Sequence, residues 1–135
     1  MALATPVNGR GAFSFPVTGQ TAHSADAAGS LGYVVNPEDT PIIITSCVLY
    51  GVTNSTGVAN VTIGHAATIV AAHNISNIFT AAAQAASAGT AVQGLANGDA
   101  ADALPVVPAT SVIAAFSNAD STGYTGQCYI EYLIV

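Results

Sequence analysis

The 135-residue sequence contains no lysine, no tryptophan, one arginine, one methionine and two cysteines. With Arg10 as its only fixed cation and a net charge of -6, it cannot neutralise a row of phosphates, which excludes electrostatic binding to nucleic acid. Attachment to an anionic membrane surface fails for the same reason. No run of about 18 apolar residues is present, so no membrane-spanning helix is expected. The start Met1-Ala2-Leu3-Ala4 lacks the basic and apolar segments of a signal peptide, and the expectation is a soluble chain made in the cytoplasm, with reduced thiols. Disorder is excluded from the other side, because disordered chains are rich in charge and poor in apolar residues.

Apolar residues make up 51% of the chain and the mean hydropathy is +0.55, but 27 of them are alanine. Core volume must therefore come from Ile, Val, Leu, Phe and Tyr. The length suits a single domain. A folded monomer of this mass exposes about 6,400 Å². One basic and seven acidic side chains then leave roughly one charge per 800 Å², about one partner's share of a standard protein interface. Monomers use surface charge to stay apart. The scarcity predicts a subunit of something larger; the plainer alternative is a secreted monomer with a Ser/Thr surface.

Residues 1–30 carry Pro6, Pro16 and little periodicity beyond the alternation of Phe13, Phe15 and Val17, and they read as an extended N-terminal arm or as a terminus with one edge strand. Residues 31–135 carry strand signals. A strand at 31–35 is followed by the turn Asn36-Pro37-Glu38-Asp39-Thr40-Pro41. Strict alternation over 42–52 places Ile42, Ile44, Val48 and Tyr50 on one face and Ile43, Thr45, Cys47 and Leu49 on the other. Asn54-Ser55-Thr56-Gly57 reads as the loop of a hairpin into 59–64. Residues 68–72 read as a further strand, 80–103 as a long Ala-rich surface loop, 104–107 as an edge strand, and 111–116 and 127–135 as strands. Short strands, turn clusters and no long amphipathic helix indicate an all-β domain, a single jelly-roll-like β-sandwich.

Catalytic and metal-binding patterns are missing. His23, His65 and His73 do not reproduce a zinc spacing, and Asp99 and Asp102 supply too few oxygens for a calcium loop. No G-x-S-x-G occurs. Cys47 and Cys128 sit among apolar neighbours and read as small buried side chains that bridge only if their strands are neighbours. No enzymatic activity, metal or cofactor is expected. Sugar binding needs exposed aromatics; Tyr50, Tyr129 and Tyr132 fall in strands, leaving Tyr33 and Tyr124 as candidates.

Tyr33-Val34-Val35-Asn36-Pro37-Glu38, Ile42-Ile43-Ile44-Thr45, Asn54-Ser55-Thr56-Gly57 and Gly126-Gln127-Cys128-Tyr129-Ile130-Glu131-Tyr132, in that order, resemble small head proteins of tailed bacteriophages, the capsid decoration or cement proteins. The likeness runs from about Tyr33 to Val135. It implies a virion protein on the capsid exterior that clamps capsomers, with the major capsid protein and itself, as a trimer, for partners. Within that reading Phe13 and Phe15 would anchor the arm, Ala81, Ala82 and Ala83 would make close-packed contacts, and Tyr33 and Tyr124 would face a partner. The alternatives are a receptor- or glycan-binding module of a tail or fibre, and a tail-tube-like polymer subunit.

Overall fold

The computed structural model describes residues 9–21, 24–57, 59–73, 75–83, 89–95 and 103–135, with residues 80–83 described for their backbone only. Every regular element among them is a strand: β1 (Arg10–Thr18), β2 (Gly32–Val35), β3 (Ile42–Thr53), β4 (Asn60–Ala66), β5 (Phe79–Ala83), β6 (Ala91–Gln93), β7 (Val106–Val107), β8 (Val112–Ser117) and β9 (Thr125–Ile134). They form two antiparallel sheets. The first has the order β1-β9-β3-β6, with β7 also paired to β3, and the second has the order β2-β8-β4-β5. The chain passes from one sheet to the other at nearly every connection; β4 and β5 alone among sequential strands pair directly.

Burial of large side chains between the layers explains the architecture. Phe15, Val17, Ile42, Ile44, Leu49 and Ile130 of the first sheet meet Val61, Ile63, Phe79 and Ile113 of the second, all nearly or fully buried. Each such side chain contributes about 1.5–3 kcal/mol on burial. Alanine contributes area but little volume, and the bulky residues do lie on the inner faces.

Several sequence expectations are corrected. Residues 10–18 are a strand paired along its whole length with β9, from Arg10 opposite Leu133 to Thr18 opposite Thr125, so this stretch is no free arm. Phe15 is in the core, and Phe13 packs against it with its ring 5.8 Å from that of Tyr132. Residues 1–8 lie outside the described residues. The expected hairpin between β3 and β4 does not form, because the two strands belong to different sheets and the 54–57 loop crosses between layers. Residues 68–72 are turns, closed by Ala72 N–H donating to the Thr68 and Ile69 carbonyls. The Ala-rich stretch supplies two strands, β5 and β6, where a loop was expected.

The alternation of β3 also breaks. Ile44 lies opposite Tyr132 but Ser46 lies opposite Glu131, so a bulge at Thr45 adds one residue and reverses the faces beyond it. Ile42, Ile44, Cys47 and Leu49 are consequently all buried, while Tyr50 and Val52 are exposed. One extra residue thus collects the apolar set of both apparent faces onto the core side.

The two outer faces differ. On the β2-β8-β4-β5 sheet, residues 67–73 and 75–77 fold over the outside and bury Phe116 and Ala114 of β8 beneath Ala72, with the His73 ring edge-on to Phe116 at 5.0 Å. Gly64 permits this approach, since a Cβ there would lie 2.4 Å from the Ile75 carbonyl oxygen. Nothing among the described residues covers the outer face of the β1-β9-β3-β6 sheet in the same way.

Candidate interaction surface

The reactive residue types are placed where they build structure. Cys47 and Cys128 come from neighbouring strands, fully buried and unbridged, with sulfurs 3.9 Å apart. The hydrogen bond to Cys47 and burial push the Cys128 thiol well above its ordinary range, which keeps it protonated and unreactive. Among the described residues no three His, Cys, Asp or Glu side chains gather as metal ligands. Asp99, Asp102 and His23 lie outside the described residues. No helix of the described residues is long and apolar enough to cross a membrane.

The carboxylates that can be followed hold turns and one tyrosine. Asp26 accepts from Ser24 Oγ and the Gly29 N–H, and these bonds hold its carboxyl below the usual range. Asp120 accepts from the Thr122 N–H and hydroxyl. Glu38 accepts from Tyr132 Oη at 2.6 Å. Burial, helped by that carboxylate, pushes the Tyr132 phenol up to about 12. The Tyr132 ring lies across Gly11 of β1, where a Cβ would come within 2.2 Å of Oη.

The remaining candidate is the open face of the β1-β9-β3-β6 sheet. Period-two geometry brings Ala12, Ser14 and Pro16 of β1, Gln127, Tyr129 and Glu131 of β9, and Val48, Tyr50 and Val52 of β3 to one side. Tyr129 is directly opposite Val48, and Tyr50 opposite Gln127, which makes the two tyrosines diagonal neighbours about 7–8 Å apart. They are 49% and 38% exposed, and Val52 and Val106 extend the patch at 57% and 51%, enough for a partner to contact. The small side chains of Ala12 and Ser14 border a cleft of about 330 Å³ beside Tyr129, and a second of about 310 Å³ lies among Arg10, Gly11, Thr45 and Leu133. Arg10 and Glu131 supply this face's charge among the described residues.

The residues singled out from sequence do not share one surface. Tyr33 is half exposed on the outside of β2, opposite Ala114, and belongs to the other sheet. Tyr124 is fully buried, which corrects its assignment as a contact residue, and Phe15 is corrected for the same reason. Residues 81–83 run in β5, and the side chains on which their contact role depends lie outside the described residues. Tyr50 and Tyr129 both stand in strands, which by itself does not separate core from surface. Tyr129 shares its side of β9 with the charged Glu131, and that alternation is the signal that finds it, whereas Tyr50 is turned outward by a bulge that the sequence does not mark.

Tyr124 Oη is buried without a hydrogen-bond partner among the described residues. Desolvation, with the Cys128 sulfur nearby, pushes the phenol up from 10.0 to about 12. Its folded value lies above the unfolded one, so the neutral phenol's contribution is complete below pH 10 and disappears as pH rises through about 12. Tyr124→Phe is expected to stabilise the fold by about 1 kcal/mol at neutral pH, because it removes an unmatched buried hydroxyl. It should also lose less stability in strong alkali than the parent. Urea unfolding at neutral and alkaline pH measures both effects; destabilisation at neutral pH would reveal a missing partner for Oη.

Comparison with known proteins adds one likeness. No protein-family model matches the sequence, and no curated protein does. Among solved structures the chain is similar to a chain of the acidic stable capsid structure of Helicobacter pylori bacteriophage KHP30, with a TM-score of 0.52, 14% identity and 93% of each chain covered. At that identity the likeness concerns the fold.

Proposed function

We propose that the chain is a non-enzymatic structural protein of a tailed-phage virion, a decoration or cement subunit that lies on the outside of the head and holds neighbouring capsomers through the major capsid protein. The observation that carries this reading is the broad face of the β1-β9-β3-β6 sheet on a small domain, uncovered and almost uncharged among the described residues. Such a face loses little by leaving water against another protein, and its tyrosines are of a type enriched in interfaces. Two further features support it. The two antiparallel sheets, with the chain crossing between them at most connections, support a jelly-roll-like reading of the sandwich, an architecture that recurs in viral capsid domains and lectins. The similar solved chain comes from a phage capsid structure, matched over 93% of its length. Strength would come from repetition: many weak contacts on one lattice hold far better than one alone.

The paired Tyr50 and Tyr129 favour a second reading, a glycan-binding module whose sugars stack on the two rings between Gln127 and Glu131. One experiment separates the readings. Heads prepared without the chain are mixed with purified protein and sedimented. Saturable co-sedimentation, with a higher rupture temperature of the heads, is expected. Failure to bind heads, together with oligosaccharide-dependent thermal stabilisation of the free protein, would replace the head reading with the glycan one.

A further inference from the structure

The same open face is complementary to itself. The chain carries net charge -6, and two copies repel wherever their carboxylates meet. Apart from Glu131, those that can be placed lie in turns: Asp26 in the turn before β2, Glu38 and Asp39 between β2 and β3, and Asp120 between β8 and β9. The open face instead holds Arg10, the chain's sole Lys or Arg, one strand and one side-chain row from Glu131, so its local charge cancels. Among the described residues, an approach through this face is the one that brings no net like charge together.

Area agrees. Nine residues of β1, ten of β9, twelve of β3 and the three and two of β6 and β7, each about 3.3 Å along the strand by about 4.8 Å across it, tile the face. That is about 570 Å² of flat sheet per copy, or about 1,140 Å² for two, just above the roughly 1,000 Å² that separates specific interfaces from casual contacts. Tyr129 and Tyr50 stand at its centre, where residues that dominate binding cluster.

We infer that two copies of this chain pair face to face through the outer surface of the β1-β9-β3-β6 sheet, around Tyr129 and Tyr50, in a two-fold and moderately weak dimer. The sheets stack about 10 Å apart with their strands within about 30° of parallel, as sheets do inside a sandwich. This pairing concerns the free protein and uses the face that the proposed function sets against the head, so docking on a head would have to displace the second copy. It also departs from the three-fold association that the resemblance implies.

Sedimentation equilibrium of the full chain tests it. A two-chain mass is expected, with an association that tightens as salt is raised from about 20 to 500 mM, because screening removes the net repulsion while a neutral apolar contact is untouched. Tyr129→Glu should weaken dimerisation at least about thirtyfold, in the range of a central anchor residue. Tyr50→Glu should do the same, and Tyr33→Glu on the opposite sheet should change it less than about twofold. Far-UV circular dichroism and the urea midpoint establish that each variant is folded; if Tyr129→Glu unfolds, Tyr50→Glu against Tyr33→Glu carries the comparison. A strict monomer, a trimer, or a dimer lost in Tyr33→Glu and kept in folded Tyr129→Glu or Tyr50→Glu would overturn the inference. Sedimentation of the free protein and binding to heads are separate measurements, so either can fail without the other.

Discussion

Gly64→Val is expected to cost about 3 kcal/mol of folding stability and to strip the cover from β8. At Gly64 a Cβ meets the Ile75 carbonyl oxygen at 2.4 Å, its carbon at 2.8 Å and Ile75 Cβ at 2.9 Å. Two of these are backbone atoms, so no rotamer change relieves the clash. The covering residues are braced by their own turns, with Ala71 N–H donating to Thr68 Oγ1 and Ile75 N–H to the Ala72 carbonyl, and they would have to lift together. Lifting exposes Phe116, whose burial is worth about 1.5–3 kcal/mol, and breaks the edge-on contact with His73, worth about 0.5–1.5 kcal/mol. Urea unfolding gives the stability change, and amide exchange over β8 should accelerate locally. A loss below about 0.5 kcal/mol would mean that the cover is not held down through Gly64.

Asn36→Ala is expected to cost about 2–4 kcal/mol, because one buried side chain joins two segments through several hydrogen bonds. Asn36 Nδ2 donates to the carbonyls of Thr40, Val107 and Pro108 at 3.1, 3.2 and 3.0 Å, and Oδ1 accepts from the Glu38 N–H at 2.9 Å. The backbone N–H of Asn36 also donates to the Ser111 carbonyl at 2.9 Å. These bonds fasten the turn before β3 to the turn between β7 and β8, where Thr110 is held at a φ of 66°, a conformation unfavourable for a β-branched residue. Removing the amide leaves buried carbonyls without donors and releases that strained turn. Asn36→Asp should be worse than alanine at neutral pH, since it sets a carboxylate against three carbonyl oxygens. Burial there would raise the new carboxyl above its unfolded value, so the variant should regain stability as pH falls through that raised value. Urea midpoints across the acid range check both variants; a neutral Asn36→Ala would show that the two turns are fastened elsewhere.

Much of the fold was legible where side-chain chemistry and local geometry agree. The β-branched and aromatic runs at 42–52, 111–116 and 127–135 coincide closely with β3, β8 and β9, and the Pro/Asx cluster at 36–41 is a turn. What could not be read depends on partners distant in sequence. The Phe13, Phe15, Val17 alternation announces a strand, but only pairing with β9 turns it from an arm into a sheet edge. The bulge at Thr45 leaves no local mark, because Ile43, Ile44, Cys47 and Val48 are all apolar enough for either face. Alanine favours helix by propensity, yet β5 and β6 are strands because each pairs with a neighbour, β4 and β3.

The candidate surface was legible in kind and not in place. Scarcity of charge predicts a surface with little charge to desolvate, and among the described residues the outer side of the β1-β9-β3-β6 sheet is open and nearly uncharged. The named contact residues mostly missed it. Aromatics were judged by whether they stood in a strand, whereas exposure follows from which side of the sheet a residue occupies and whether that side is covered. Tyr33 lies beside the covered face, Tyr124 in the core, and Tyr129 and Tyr50 on the open one.

The central claim is that this open sheet makes the chain a structural component of a virion. Imaging of heads from a phage that carries the gene, compared with heads from which the gene has been deleted, tests it most directly. The account predicts regularly spaced density on the outer head lattice that disappears on deletion, leaving heads that rupture at lower temperature. Indistinguishable heads, or difference density confined to the tail, would contradict it.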